Sequence, residues 1–480
     1  MEVTGRIIPP EERLALVPSD HPVLRRPADA VRDFDEALGA LLDKMANTMY
    51  HEGGVGLAAP QVGEGKRVVV THYGEERLEL VNPEIVTIEG TQDGYEGCLS
   101  VPGYMGEVQR PAKVRVRYFD RRGRKSWVDA EGWPARVLSH ELDHLDGGLF
   151  IECSTRVLRL RPEKAMRIVF MGTPEFAAIV LDALLEEGYK VVGVVTAPDR
   201  PRGRGQRVHA SPVKDLALEG DIPVLQPESR ADDEELAQYL AWLEPDLLIT
   251  AAYGRILPRP ILDVPRIGAI NVHASLLPRY RGAAPIQRQI LAGEETSGIT
   301  IYWMDEGMDS GPVIHRAEMP LRQDITAGEL HDELADLGSE ALLEALEMIG
   351  AGDAPAEPQD ESRANLAPKI VRGENRIDWQ RRAVEVERRI RAFCPRPGAE
   401  ALWRGRRLKI LEATVEEGEG GPGEVLEVSE RGILVGTGNG LCRITRLQPE
   451  GKRPMSVNEF VLGYDMAVGE VMQTDHDDQA

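Results

Sequence analysis

The chain of 480 residues has only four cysteines, Cys98, Cys153, Cys394 and Cys442, far apart and without a Cys-x-x-Cys pair. In a chain of this size that spacing suggests reduced thiols in a cytosol rather than a disulfide framework. No apolar run is long enough to cross a bilayer, so no membrane role is expected. The opening stretch "MEVTGRIIPPEERLALVPSD" lacks the basic segment and apolar core of a secretion signal. A soluble, cytoplasmic protein is expected. Positive charge is also short: 57 basic residues stand against 80 acidic ones, a formal −23. Such a total argues against nucleic acid as a partner, unless the basic residues are clustered. There is no internal repeat.

The length suggests about three domains. Residues 34–50, "FDEALGALLDKMANTMY", space apolar side chains at helical intervals. Strand-like runs follow at "RVVVTH", "LELVNPEIVTIEG" and "AKVRVRYFD". An α+β domain over 1–160 is expected. The texture changes at Met166, where "MRIVFMGTPEFAAIVLDALLEEGYKVVGVVTA" reads as strand, tight turn, helix, strand. With further strands at "DLLITAAYG", "GAINVHAS" and "GITIYWMD", this predicts a doubly wound parallel sheet over 166–350. Residues 351–368, rich in Pro, Ala and acid, read as a linker. A small β-barrel is expected over 369–470, with an acidic, frayed tail from Asp465. Met166 opens its segment as an independent gene product would, which suggests a fusion.

"HELDHLDG", His140 to Gly147, places two histidines on one face of a helix with a glutamate beside the first. Alone, the pattern is common in ordinary helices. A third histidine ten residues after the first is absent, because that position is Phe150. Cys98 in "EGCLS" (96–100) is a better ligand: two imidazoles and a thiolate hold a borderline metal and leave a position for water. Glu141 could then take that water's proton. The glycine-rich "GGVGLAAPQVG", 53–63, lets backbone approach a substrate, and its one amide, Gln61, can donate to a developing oxyanion. His51 and His72 have no such company and read as surface or core residues.

Together "GVGLAAPQ", "EGCLS" and "HELDH" closely resemble the three motifs of the peptide deformylase family. The resemblance implies an α+β metallohydrolase with Cys98, His140 and His144 as metal ligands and Glu141 as general base. Gln61 and the backbone N–H of Leu99 would stabilise the tetrahedral intermediate. It further implies iron(II), or zinc or nickel, and formyl-methionyl nascent peptides near the ribosome as substrate. Family members usually carry a further helix after the zinc helix, and here only a short connector, "STRVLRLRPEKA", precedes Met166. Its Val157, Leu158 and Leu160 are expected to be buried in that helix's place.

In "INVHASLLPRYRGAAPIQ", 270–287, Asn271 and His273 end an apolar strand, where ligands bind in a doubly wound sheet. "MDEGMDSGPVI" adds Asp309 on a glycine-flanked loop. The three could form a proton-transfer group around an oxyanion, cap strand ends, or ligate a metal that lacks a third ligand. "FMGTPEF" lacks Gly-x-Gly-x-x-Gly, which argues against a dinucleotide. The segment resembles the formyltransferases that use 10-formyltetrahydrofolate, with a Rossmann-like catalytic domain. Their Asn, His and Asp match Asn271, His273 and Asp309, and Ser275, Leu276, Leu277 and Pro278 match a folate-binding segment. "APDRPRGRGQRVHASPVK", 197–214, carries Arg200, Arg202, Arg204, Arg207 and Lys214 against one acid. It resembles the loop by which methionyl-tRNA formyltransferases engage initiator Met-tRNA. From Arg363 to Lys409 there are 14 basic and 5 acidic residues, the local patch that phosphate binding needs. "RIDW", "IRAFCPRPGA" and "LQPEGKRPMS" resemble that family's OB-like C-terminal barrel. The expectation is a bifunctional enzyme. The alternatives are a second half that formylates a small amine such as a nucleotide sugar, or one half that is an inactive binding module.

Overall fold

Asp35 starts the first long helix by accepting the Leu38 N–H at 2.9 Å, and α1 (Glu36–His51) buries Leu38, Leu42, Met45 and Met49 along one face. That face meets a five-stranded sheet in a computed structural model that describes residues 1–73, 76–202 and 207–473. After β1 (Glu2–Thr4), the strands of this first unit are β2 (Gly56–Ala58), β3 (Val68–Tyr73), β4 (Glu76–Glu89), β5 (Gln92–Gly97), β6 (Tyr104–Arg110), β7 (Lys113–Phe119), β8 (Lys125–Glu131) and β9 (Arg156–Arg159). The sheets run β2-β3-β4-β7-β8 and β5-β6-β9. Alternation along β3 assigns its faces: Val68 and Val70 pack against α1, while Val69 packs with Leu138, Leu142 and Leu145 of α2 (Trp133–Asp146). Gly147 ends α2 at φ 86°, and a Cβ there would stand 2.9 Å from the Arg26 nitrogen. Only glycine fits that closure.

The second unit is the expected α/β sheet. Its strands are β10 (Arg167–Gly172), β11 (Lys190–Val195), β12 (Arg200–Arg202), β13 (Arg207–His209), β14 (Val224–Gln226), β15 (Leu247–Ala251), β16 (Gly268–His273), β17 (Thr296–Trp303) and β18 (Val313–Pro320). The sheet order is β1-β14-β11-β10-β15-β16-β17-β18, with β14 to β16 parallel and the last two strands antiparallel. Ile168 to Met171 are wholly buried, as strands covered on both faces require. The strand β1, from the beginning of the chain, pairs antiparallel with β14 and covers what would be an open edge. The helix Ala327–Ala351, started by a Thr326–Glu329 capping box, lies against this sheet.

The two units share a polar junction. Arg167 donates to the carbonyl oxygen and Nε2 of His51 at 3.3 and 3.1 Å, and Arg13 pairs with Glu244 at 3.0 Å. Glu52 lies 3.6 Å from both Arg167 and Lys190. Burial, with help from Arg167, Arg13 and Lys190, pushes the His51 imidazole down to about 3.

The connector departs from expectation. Val157 and Leu160 are exposed, at 45% and 36%, and Leu158 is only half-buried, so they do not replace a missing helix. The segment instead adds β9 to the free edge of β6, where backbone pairing and not apolar burial holds it. Further on, Glu163 is buried beside Gly350, and the Lys164 ammonium lies 3.8 Å from the Tyr189 ring centroid.

Residues 351–368 leave the helix at Ala351 and form only one short turn, Glu361–Arg363, but they are not free. Glu357 pairs with Val313, Ala367 donates to the Arg281 carbonyl at 2.6 Å, and Arg281 bonds Gln359 and Glu361. The expected linker is a strap, because buried Arg281 needs those acceptors. Beyond it, β19 (Ala399–Trp403), β20 (Arg406–Glu416), β21 (Val425–Ser429), β22 (Gly432–Gly436), β23 (Leu441–Pro449) and β24 (Met455–Ser456) form an antiparallel sheet ordered β19-β20-β23-β22-β21, with β24 on β23. Val471 and Gln473 bridge to Glu424 and Leu402, and Met466 and Met472 are buried. The segment from Asp465 to Gln473 is therefore packed and not frayed, and the rest of the expected tail, 474–480, lies outside the described residues. Among the described residues no helix is long and apolar enough to cross a membrane.

Candidate active sites

Because Leu138, Leu142 and Leu145 of α2 are taken up by the sheet, His140, Glu141 and His144 fall on a second, buried face. Cys98 follows β5 and reaches the same point. The Cys98 sulfur and one ring nitrogen from each histidine lie within 4.8 Å of one another, with Sγ 3.2 Å from His144 Nε2. His140 turns its Nδ1 to Glu96 at 2.9 Å, which leaves Nε2 for the cluster. Glu96 also accepts from Arg110 at 2.8 and 2.9 Å and from Arg136 at 2.9 Å. Burial opposes its ionisation, but hydrogen bonds from Arg110 and His140 win and bring it down to about 2. Glu96 is thus a fixed anion that orients the ring.

Glu141 Oε2 is buried and has no hydrogen-bond partner. Burial pushes its carboxyl up to about 7 against the pull of His140. The "GGVGLAAPQ" loop makes room for it: a Cβ on Gly56 would stand 2.4 Å from Glu141 Oε1. Gln61 Oε1 accepts the Ala58 N–H at 2.7 Å, which aims the amide nitrogen at Cys98 Sγ, 3.5 Å away. Gln61, Cys98, Leu99 and Glu141 line one cavity of about 410 Å³. It can seat a carbonyl between a cation site, an amide donor and a carboxylate.

The second constellation stands where β16 ends. Thr250 donates to Asn271 Oδ1 at 2.6 Å, so the amide's NH₂ is committed outward and meets the Tyr302 hydroxyl at 3.2 Å. Tyr302 donates to Asp309 Oδ1 at 2.6 Å, and the Gly282 N–H donates to Asp309 Oδ2 at 2.7 Å. Burial and then Asp309 raise the Tyr302 phenol well above its ordinary value, so it stays a donor. His273 is buried, with Nδ1 3.7 Å from Asp309 Oδ2 and Nε2 3.0 Å from the Tyr280 carbonyl oxygen. All three expected residues converge on one point.

Both units match known families. Residues 14–159 match the polypeptide deformylase model, 166–346 the formyl transferase model and 369–465 the formyl transferase C-terminal domain. The chain is 50% identical over 295 residues to a methionyl-tRNA formyltransferase of Pseudomonas fluorescens, covering 62% of this chain and 92% of that one. It is 41% identical to a solved peptide deformylase from Thermotoga maritima, covering 30% of this chain and 99% of the other, with a TM-score of 0.30. The deformylase from Thermus thermophilus is 45% identical, covering 28% and 83%, with a TM-score of 0.28. The chain belongs to both families, peptide deformylase and methionyl-tRNA formyltransferase. Its deformylase unit precedes its formyltransferase unit.

In the formyltransferase unit, Ser275, Leu277 and Pro278 are buried, and Ser275 donates to the Arg279 carbonyl at 2.7 Å. Leu276, Leu277 and Pro278 border a cavity of about 680 Å³ that also carries Arg316 and Arg363. The basic insert is a hairpin of β12 and β13, on which Arg200 is exposed. Arg204 lies outside the described residues, and the side chains of Arg202 and Arg207 are outside them too. Lys214 is a correction. It is buried and bonds Asp199 at 2.8 Å and Gln226 at 2.7 Å, so its charge is spent inside the unit and not offered to phosphate. Glu96, Thr250 and Tyr302 were missed by sequence reading. Only Glu96 had a signal, its place in "EGCLS".

Proposed function

We propose that one chain removes the formyl group from formyl-methionyl peptides and transfers formyl from 10-formyltetrahydrofolate to initiator Met-tRNA. The observation that carries the first reaction is the Cys98–His140–His144 cluster beside an unpartnered, buried Glu141. Its donor set suits iron(II), zinc or nickel, and a divalent metal there would supply Lewis acidity and acidify a water. Glu141 accepts the proton and returns it to the leaving amine, so formate and a free N-terminus result. Gln61 and the Leu99 N–H hold the developing oxyanion. Nascent peptides near the ribosome are the natural substrate.

In the second unit the amine of Met-tRNA attacks the formyl carbon. Asn271 donates to the oxyanion, His273 takes up the amine's proton and passes it to N10 of the donor as the formyl C–N10 bond breaks and tetrahydrofolate leaves, and Asp309 holds His273 in the useful state. Ser275 to Pro278 border the donor site. Arg200, with Arg202, Arg204 and Arg207, and the basic OB-like domain over 369–470 face the tRNA. A small amine as acceptor is disfavoured by the close relation to a methionyl-tRNA formyltransferase. Two complete residue sets likewise count against an inactive half.

Metal analysis tests the first site. Cys98→Ala should lose the metal, while Glu141→Ala should keep it and lose deformylation by orders of magnitude. Equal metal in wild type and Cys98→Ala would overturn the ligand set.

A further inference from the structure

We propose that the connector between the units forms one wall of the deformylase groove, and that Leu160 selects peptides with an apolar side chain after the formylated methionine. The proposal rests on the deformylase reading above. Gly97 pairs with Met105, which sets Tyr104 across the hairpin from Cys98. Tyr104 in turn pairs with Arg159 of β9, and the Leu160 N–H donates to the Gly103 carbonyl at 2.8 Å. Two strand spacings therefore separate Leu160 from Cys98, about 10 Å. An extended peptide advances about 3.4 Å per residue, so that distance spans roughly three residues. With the formyl carbon at the Cys98 end, Leu160 meets the second or third residue of the substrate.

The chemistry of the wall agrees. Leu160 lines the same cavity as Gln61, Cys98 and Glu141. Exposed Val55, Tyr104 and Trp133, at 41%, 41% and 54%, line it too. Four large apolar side chains around one groove form a patch, and such patches mark binding surfaces. Leu160 also lies just past the matched deformylase segment, which ends at residue 159.

The test uses the full chain with two substrates, formyl-Met-Leu-Leu and formyl-Met-Ala-Ala. Wild type should prefer the leucine peptide. Leu160→Ala should lower the ratio of the two kcat/KM values by about three- to tenfold, through KM and not kcat. Leu160→Asp should lower it further, and Leu160→Met should restore it. An unchanged thermal unfolding profile of each full-length variant would show that its deformylase unit is folded. An unchanged peptide ratio in Leu160→Asp would overturn the proposal alone. A wild type inert toward both peptides would overturn the deformylase reading, and this proposal with it.

Discussion

Acid should loosen the junction between the two units through His51. Its Nε2 accepts from Arg167 at 3.1 Å, which requires a neutral ring. Glu52 and Glu244, 3.9 and 3.6 Å away, favour the charged form, but burial, Arg167, Arg13 and Lys190 outweigh them. The folded value, about 3, lies below the ordinary 6.5. As pH falls, the unfolded chain binds this proton first, so stability is full above about 6.5 and is lost progressively toward pH 3. At pH 5 the gap to the ordinary value is about 1.5 units, or about 2 kcal/mol at 1.36 per unit. Gln in place of His51 keeps an acceptor for Arg167 and cannot titrate. Urea unfolding at pH 7 and pH 5 should therefore show wild type losing about 2 kcal/mol more than His51→Gln. Equal losses in the two proteins would refute the reasoning.

Glu96→Gln should weaken metal affinity by about 10- to 100-fold in a chelator competition, since the ring of His140 loses its anionic acceptor. Asn271→Ala should slow formyl transfer by about 100- to 1,000-fold in a Met-tRNA assay, the usual loss of one oxyanion donor. Arg200→Ala should raise KM for Met-tRNA and flatten its salt dependence, whereas Lys214→Ala should lower thermal stability instead. Residues 1–165 alone should melt below the same unit in the whole chain, because cutting at Met166 removes the β14 partner of β1.

The Cys98, His140 and His144 cluster was legible because its motifs are local: a helix spacing and one cysteine at a strand end. Asn271 and His273 were legible for a similar reason, since strand ends in a parallel sheet are marked by their apolar runs, whereas Asp309 stood out only in its glycine-flanked loop. Glu96 stood inside a recognised motif, but its partners Arg110 and Arg136 come from other elements and carry no sequence sign. The pairing of β1 with β14 joins residues more than 200 positions apart, and three-residue strands have no pattern to read. The connector misled because Val157 and Leu160 are apolar, and composition cannot separate burial in a core from exposure at a surface. Lys214 misled in the opposite sense: counting charge does not show which ammonium turns inward. Residues 351–368 had the composition of a linker, while their order comes from Arg281, far away in sequence.

The central claim is that two complete and separate active sites share this chain. One purified preparation of Glu141→Ala and one of Asn271→Ala, each assayed for formate release and for Met-tRNA formylation, tests it most directly. The account predicts reciprocal losses: Glu141→Ala keeps full formyl transfer without deformylation, and Asn271→Ala keeps full deformylation with formyl transfer nearly gone. A folded variant that loses both activities, or a wild type with only one, would contradict it.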